Sequence, residues 1–450
     1  VTVRVAVVGA GVAGLATAFH LQRAGADPVV FERAGTHGGV IAPPVEVGGL
    51  LLEPGPDSFA ARKPSGATLC RDLGLSLVAP GASGALLWTD TGLVPYLAGT
   101  GFGIPGDVGD VLRWPGLSSR GRVRALADLV KRKRRDGVEE TLGQLLRRRL
   151  GDEATDRAIS PLLAGLYAGD VDRLSATATF PELVTWERTQ GSLVRGAQAA
   201  QRSARHADPG PLFLRPRRGM RELVDALAGS LGDRVCTRAE VTHVAEGVVQ
   251  LEDGTEPVDA AVLACGAPAA SALLGQAAPG GLGAIHSVST GVVLLVYPPG
   301  TADALPDGTG FVVPRGAAPM TAATFLSRKW PDESFADRAV IRCYVGGAGD
   351  EGVLEAPDED IVGACVRHLS AALDLPDPAA SRVHRWWRAM PQYELGHLDR
   401  VRRIREGLPP SIFLVGSAFD GVGVSDLARA AEDTAARVVA HSDAPQREPE

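Results

Sequence analysis

Residues 3–8 read Val-Arg-Val-Ala-Val-Val, and Gly9-Ala10-Gly11-Val12-Ala13-Gly14 follows without a gap. The apolar, β-branched run has the composition of a buried strand. Leu15 to Ala24 reads as a helix, and Pro28 to Phe31 as a second buried strand closed by Glu32. Each part of this strand, glycine turn, helix, strand and acid has a mechanical reason. Gly9 permits the tight turn, Gly11 has no Cβ and lets a pyrophosphate approach the backbone, and Gly14 lets the helix pack close to the sheet. The helix N-terminus offers unpaired N–H groups and the positive end of its dipole to phosphate. Glu32 stands where a carboxylate accepts hydrogen bonds from a ribose. The unit predicts a bound dinucleotide; an ordinary Gly-rich strand–helix turn is the alternative.

Length suggests two to three domains for 450 residues. A net charge of −7 gives no support for nucleic-acid binding, which calls for a basic face. The five cysteines are scattered, with no CxxC, so neither a disulfide framework nor a metal site is expected, and a reducing cytoplasm suits them. The chain opens on the strand itself, so no signal peptide is expected. No apolar run reaches the ~18 residues of a spanning helix.

Beyond Glu32, the paired Gly38-Gly39 suggests a second close approach of backbone to ligand, with a plain turn as the alternative. Val45 to Glu53 is apolar and strand-like, Pro54-Gly55-Pro56-Asp57-Ser58-Phe59 reads as a rigid loop, Ser65 to Leu73 as a helix, and Leu86 to Pro95 as a hairpin. Gly99 to Pro115 is loop-like. Ser118 to Arg135, Thr141 to Leu150, Asp152 to Tyr167 and Gly191 to His206 carry helical periodicity. The run Lys131-Arg132-Lys133-Arg134-Arg135 reads as the solvated cationic end of the first of these helices, against contact with an anionic surface. Val258 to Cys265 is another buried strand, and its end at Gly266-Ala267-Pro268 belongs beside the cofactor in a doubly wound sheet. Four Val/Thr-rich strands between His286 and Val345 predict an antiparallel sheet. Ser411 to Val415 is a buried strand, a final helix runs from Leu427 to Ala440, and Ser442 to Glu450 is expected to be a disordered tail. The α/β character thus comes in pieces, which argues against a simple NAD dehydrogenase with one contiguous cofactor domain.

The opening unit, Gly38-Gly39 and the late Gly416…Gly421-Val422-Gly423 together resemble the amine-oxidase-like FAD superfamily. Narrower motifs are similar to those of bacterial porphyrinogen oxidases of haem synthesis, which act on protoporphyrinogen or coproporphyrinogen. They are Gly55-Pro56-Asp57-Ser58-Phe59 with Arg62-Lys63-Pro64, Ala164-Gly165-Leu166-Tyr167-Ala168-Gly169-Asp170, Thr179-Phe180-Pro181-Glu182-Leu183, Ser327-Arg328-Lys329-Trp330-Pro331, and Met390-Pro391-Gln392-Tyr393 with Gly396-His397. The resemblance spans almost the whole chain. It implies an α/β fold with α+β inserts: a Rossmann-like FAD-binding domain assembled from residues 1–95, 210–285 and 390–441, a helical domain over 96–209, and a mixed-sheet substrate domain over 286–389. It also implies a six-electron oxidation of a porphyrinogen to a porphyrin, with oxygen as acceptor and hydrogen peroxide released. The location it implies is the cytoplasm, with peripheral contact at the inner face of the cell membrane.

The roles it implies are specific. Gly9, Gly11 and Gly14 hold the pyrophosphate, Glu32 the ribose with Arg33 beside it, and Gly38 and Gly39 pass the cofactor chain. Val241 meets adenine through its backbone, and Gly416, Val422, Gly423 and Val424 meet the flavin end. No catalytic side chain is expected, because the flavin carries the chemistry. Arg62, Lys63 and Lys329 are candidate cations for substrate propionates, with solvated loop cations as the alternative. Tyr167 and Trp330 are candidate walls for a flat macrocycle, against plain core packing. Gly169 either brings backbone to the ring or makes a turn, and His397 reads as structural.

The chain departs from the superfamily at Thr36, where arginine is usual, at Ser425 and Leu427 in place of proline and cysteine, and at Ala430 near a usual glycine. Three other readings stand beside porphyrinogen oxidation. An amine oxidase needs an aromatic cage, which an aromatic content of 5% disfavours. A carotenoid desaturase needs a long apolar tunnel. A non-catalytic binding protein on the same fold needs neither.

Overall fold

Val5 to Val8 have no solvent-facing side: all four are buried, as a strand covered on both faces requires. The computed structural model describes residues 2–97, 102–134, 137–206 and 210–443, and it places Arg4–Val8 at the centre of a five-stranded parallel sheet. Asp27–Glu32 and Ala260–Leu263 flank it, with Val235–Thr237 outside the first and Ile412–Leu414 outside the second. Val8 is level with Phe31 and with Leu263, and Leu263 with Leu414. The carboxyl ends therefore share one edge, where Gly9, Glu32, Ala264 and Gly416 fall. This is the discontinuous assembly expected. Helix Val12–Arg23 is buried almost all round because it lies between this sheet, helix Arg221–Leu231 and the final helix Val424–Asp443.

A seven-stranded sheet stands beside it, in the order Ala380–Pro391, Ser287–Val296, Val340–Gly346, Ala322–Phe325, Gly310–Val312, Leu86–Thr89, Gly92–Pro95. Its pairs are antiparallel except Gly310–Val312 on Leu86–Thr89, so the sheet is mixed. The hairpin at Leu86 to Pro95, expected inside the first cofactor segment, is instead the edge of this sheet. Helices between Val108 and His206 pack around Leu142, Leu145, Leu146, Ile159 and Leu163 as a separate core.

Several expectations need correction. Val45 to Glu53 is two strands, Val45–Val47 and Leu50–Leu52, turned back by Gly48 and Gly49 at φ 58° and 81°, the two positive angles of a tight hairpin. Helix Ser119–Leu126 and the turn Ala127–Leu129 stop short of the basic run. Asp128 ends them by turning inward to Arg149 at 2.5 Å and to Val194 N at 2.9 Å. The lysines then serve other helices, Lys131 donating to Arg148 O at 2.6 Å and Lys133 to Arg188 O at 2.9 Å, near their C-termini. Helices Pro181–Gln190 and His397–Glu406 were not read from the sequence. The final helix begins at Val424 and includes Ser442, so the tail does not start there. Residues 444–450, Arg135 and the start of the Gly99 loop lie outside the described residues. Among those described, no helix is long and apolar enough to cross a membrane.

Candidate functional site

The carboxyl edge of the parallel sheet brings backbone rather than side chains toward a ligand. Gly9 turns the chain at φ 110°, and a Cβ there would lie 2.9 Å from the Ala264 carbonyl oxygen. A Cβ on Gly14 would lie 2.0 Å from the Gly9 carbonyl oxygen. Packing thus demands glycine at both positions. Gly11 differs, because no atom of the chain lies within 4 Å of where its Cβ would point. It is the N-cap of Val12–Arg23, and no side chain caps that helix, so its first N–H groups remain available. Gly38 N donates to Ala10 O at 2.7 Å, and a Gly39 Cβ would come within 3.3 Å of Gly11 Cα, closing the paired glycines against the first turn.

The Glu32 carboxylate accepts from Ala10 N at 2.9 Å and Ala34 N at 2.8 Å, which fixes it and leaves further lone pairs on both oxygens. Arg33 is exposed. Ala239 N donates to Glu32 O at 2.9 Å, and the buried Val241 opens strand Val241–Ala245 just beyond. Thr36 is exposed, but a cation stands near it. Arg238, at φ 55°, sets its Nε 3.5 Å from where a Gly35 Cβ would be. Nothing in the local sequence around Thr36 could have pointed to it, because it comes from a different strand's end.

The late turn is held differently. Gly416 has φ 140° and open space where a Cβ would point. Its N–H donates to Asp420 Oδ2 at 3.0 Å, and Asp420 pairs with Arg405 at 2.5 Å. Gly421 N donates to the Tyr393 hydroxyl at 2.8 Å, which in turn donates to Ser417 O at 2.5 Å. Val422 packs against the helical block, a Gly423 Cβ would approach Asp426 Oδ2 to 3.0 Å, and buried Val424 begins the final helix. The Ser425 hydroxyl donates to Ala60 O at 3.1 Å, and Lys63 Nζ donates to both Asp426 oxygens at 2.8 and 2.7 Å. The Ser425 side chain therefore ties the turn to the segment before Lys63. Leu427 and Ala430 are buried in the core shared with Val12–Arg23.

The candidate substrate residues separate on inspection. Arg62 is exposed, while Lys63 is committed to Asp426. Lys329 is not at a rim: its Nζ lies 2.8 Å from Asp57 Oδ1, with side chains 13% and 8% exposed. Burial alone would raise the Asp57 carboxyl, but Lys329 and then Arg342 hold it down at about 2. Arg342, itself buried, donates to Gly55 O at 2.9 Å and to Glu53 O. Trp330 is 2% exposed, packed with Leu294, Leu326 and Val340 and covered by Arg215 at 4.3 Å. Tyr167 lies between Phe180 and Tyr393. Both aromatic residues are thus part of packed cores. A Cβ on Gly169 would meet Gln392 Oε1 at 2.6 Å, so packing accounts for that glycine. Gly165 and Gly169 nonetheless line a cleft of about 370 Å³ between helix Ser160–Tyr167 and the seven-stranded sheet, bridged by Arg315 and Asp170 at 3.0 Å. His397 is fully buried and stacked on Tyr393 with centroids 3.9 Å apart, and burial, then Arg400, lowers it to about 4.

Residues 12–439 match the family model for flavin-containing amine oxidoreductases. The chain belongs to that family. Coproporphyrinogen III oxidase of Bacillus subtilis (strain 168) is 30% identical over 94% of this chain and 95% of its own. A crystal structure from Exiguobacterium sp. 255-15, assigned as a protoporphyrinogen oxidase, superposes with a TM-score of 0.85 at 29% identity, covering 97% of this chain and 99% of that one. Putrescine oxidase, at a TM-score of 0.72 and 20% identity over 98% of this chain and 99% of its own, shares the fold.

The flavoenzyme's residues fit FAD. The unfilled positions beside Gly11 and Gly416 lie on the same sheet edge and would admit a group that touches backbone at both ends. Gly11, the first turn of Val12–Arg23 and Glu32 would hold its ADP half, and Gly416 with Val422 to Val424 its flavin half. When bound, FAD supplies two-electron acceptor chemistry. Sequence reasoning gave no role to Tyr393 and Asp420, which fasten the late turn, or to Arg238, whose guanidinium lies beside Gly35. For Tyr393 the signal was available in the Met390-Pro391-Gln392-Tyr393 motif.

Proposed function

We propose that this FAD-dependent oxidase converts coproporphyrinogen III to coproporphyrin III, with oxygen as acceptor and hydrogen peroxide released. The reading rests first on the near full-length similarity to coproporphyrinogen III oxidase. Its structural support is the lashing of the Phe59–Lys63 segment, in which Arg62 is exposed, to the late turn through Lys63–Asp426 and Ser425–Ala60. A substrate with four propionates gains from cations at the mouth of its site. Protoporphyrinogen IX, with two propionates, is the second reading, favoured by the Exiguobacterium structure.

Each porphyrinogen mixed anaerobically with the enzyme and then given oxygen tests the choice through porphyrin fluorescence. Coproporphyrinogen III is expected to oxidise faster than protoporphyrinogen IX, and both faster than without enzyme. Absence of acceleration with either would overturn the proposal. Because Lys63 also holds the late turn, Arg62→Ala is the cleaner probe of propionate binding. It is expected to raise KM severalfold with little change in kcat, as loss of uniform binding does.

A further inference from the structure

The motif Met390-Pro391-Gln392-Tyr393 with Gly396-His397 lies at a junction. Gln392 Nε2 donates to Tyr167 O at 2.9 Å, on the helix that lines the cleft. Ser175 N donates to Tyr393 O at 2.7 Å, and Gly396 N donates to Glu139 Oε2 at 2.7 Å. These bonds fasten the segment to the helical block. The Tyr393 side chain points the other way in function. One hydroxyl, on a residue 3% exposed, bridges Ser417 O at 2.5 Å and Gly421 N at 2.8 Å. It thereby sets the span of the turn whose open glycine, Gly416, and whose Val422–Val424 face the flavin end.

The ring is fixed as firmly as the hydroxyl. His397 stacks on one face at 3.9 Å with planes 13° apart, and Tyr167 lies 5.6 Å away. Both His397 ring nitrogens are without partners, so the imidazole serves as a flat apolar plate rather than as an acid or base. Arg405–Asp420, through Asp420 Oδ2 to Gly416 N, is the other fastening of the same turn.

We propose that Tyr393 is a positioning residue for the flavin: its hydroxyl sets the geometry of the Gly416–Val424 turn from a frame anchored in the helical block, with His397 as the plate that orients the ring. The inference is independent of which substrate is oxidised. Removal of the hydroxyl leaves the half-buried Gly421 N without its partner and frees the turn to relax away from the cofactor.

The test uses apoprotein titrated with FAD, read by flavin fluorescence and by the visible absorption band of the bound flavin. Tyr393→Phe is expected to weaken FAD binding about tenfold and to change the shape of the bound flavin band. Ser118→Ala, which removes the N-cap of helix Ser119–Leu126 in the helical block, is the control for general loosening; it is expected to lower Tm while leaving FAD affinity within about twofold. Asp420→Asn, at the other fastening, is expected to weaken FAD binding as well, and it carries the test if Tyr393→Phe does not fold. Wild-type FAD affinity in every soluble variant of the turn, or an equal loss in Ser118→Ala, overturns the proposal.

Discussion

The two ends of the cofactor cradle are both glycine turns on one sheet edge, yet they are built in opposite ways. The first, Gly9 to Gly14, is held within its own strand–turn–helix–strand unit and against one carbonyl of the next strand, that of Ala264. Its glycines answer to the Gly9 and Ala264 carbonyls, and the strand, turn and helix around it are continuous in sequence. The second, Gly416 to Asp426, is held by side chains from far along the chain: the Tyr393 hydroxyl, Arg405 through Asp420, Lys63 on Asp426, and Ala60 through Ser425. A locally encoded turn tolerates change elsewhere in the molecule. A remotely fastened turn inherits the stability and the motions of every element that holds it.

The largest effect is expected in the buried charges beneath the loop that meets the second turn. Asp57→Asn leaves Lys329 and Arg342 without their shared carboxylate. Breaking one side of a buried ion pair costs about 3–5 kcal/mol, measurable as a fall in the urea midpoint, and a fall under about 1 kcal/mol would show that the cluster behaves as a surface pair. Gly14→Ala comes next. A methyl 2.0 Å from a backbone oxygen must shift helix or turn, at about 3 kcal/mol by the overpacking scale, with loss of bound flavin in the purified protein. Gly11→Ala sharpens the contrast within the same turn: nothing in the chain meets that Cβ, so apoprotein Tm should stay unchanged while FAD affinity falls. An equal loss of Tm at positions 11 and 14 would erase the distinction between packing and ligand glycines.

A pH effect reports on the second turn's support. His397 is lowered to about 4 in the fold and returns to about 6.5 when unfolded. The unfolded state therefore binds more protons between those values, and stability falls as pH falls through that window. At pH 5 the loss relative to pH 8 is about 2 kcal/mol. His397→Phe keeps a flat plate against Tyr393 and should flatten this acid limb in urea titrations; an unchanged slope would place the proton uptake elsewhere.

The parts legible in the sequence were those whose reason is local. The opening unit, Gly38-Gly39, Glu32 and the late glycines all lie on the predicted edge, because valine runs with no polar alternation fix a doubly covered strand and each strand end carries its own turn chemistry. The parts that were not legible depend on what a charged or aromatic side chain meets. Lys329 and Lys63 read as propionate ligands or solvated cations until Asp57 and Asp426 came beside them, and Trp330 read as a wall or as core until the strands around it closed on the second. The basic run after Leu129 read as a helix end because periodicity does not report that Asp128 will turn inward toward Arg149.

The sequence by itself determined that a dinucleotide is held by backbone at the end of a parallel sheet, because the steric demand of the Gly9 carbonyl on Gly14 and the missing Cβ at Gly11 act within one short run of chain. Only the tertiary structure decided which cations remain free for a substrate and what holds the flavin-end turn. Charge pairing and hydrogen bonding act through space, and the partners of Tyr393, Lys63 and Lys329 lie 24, 363 and 272 residues away along the chain.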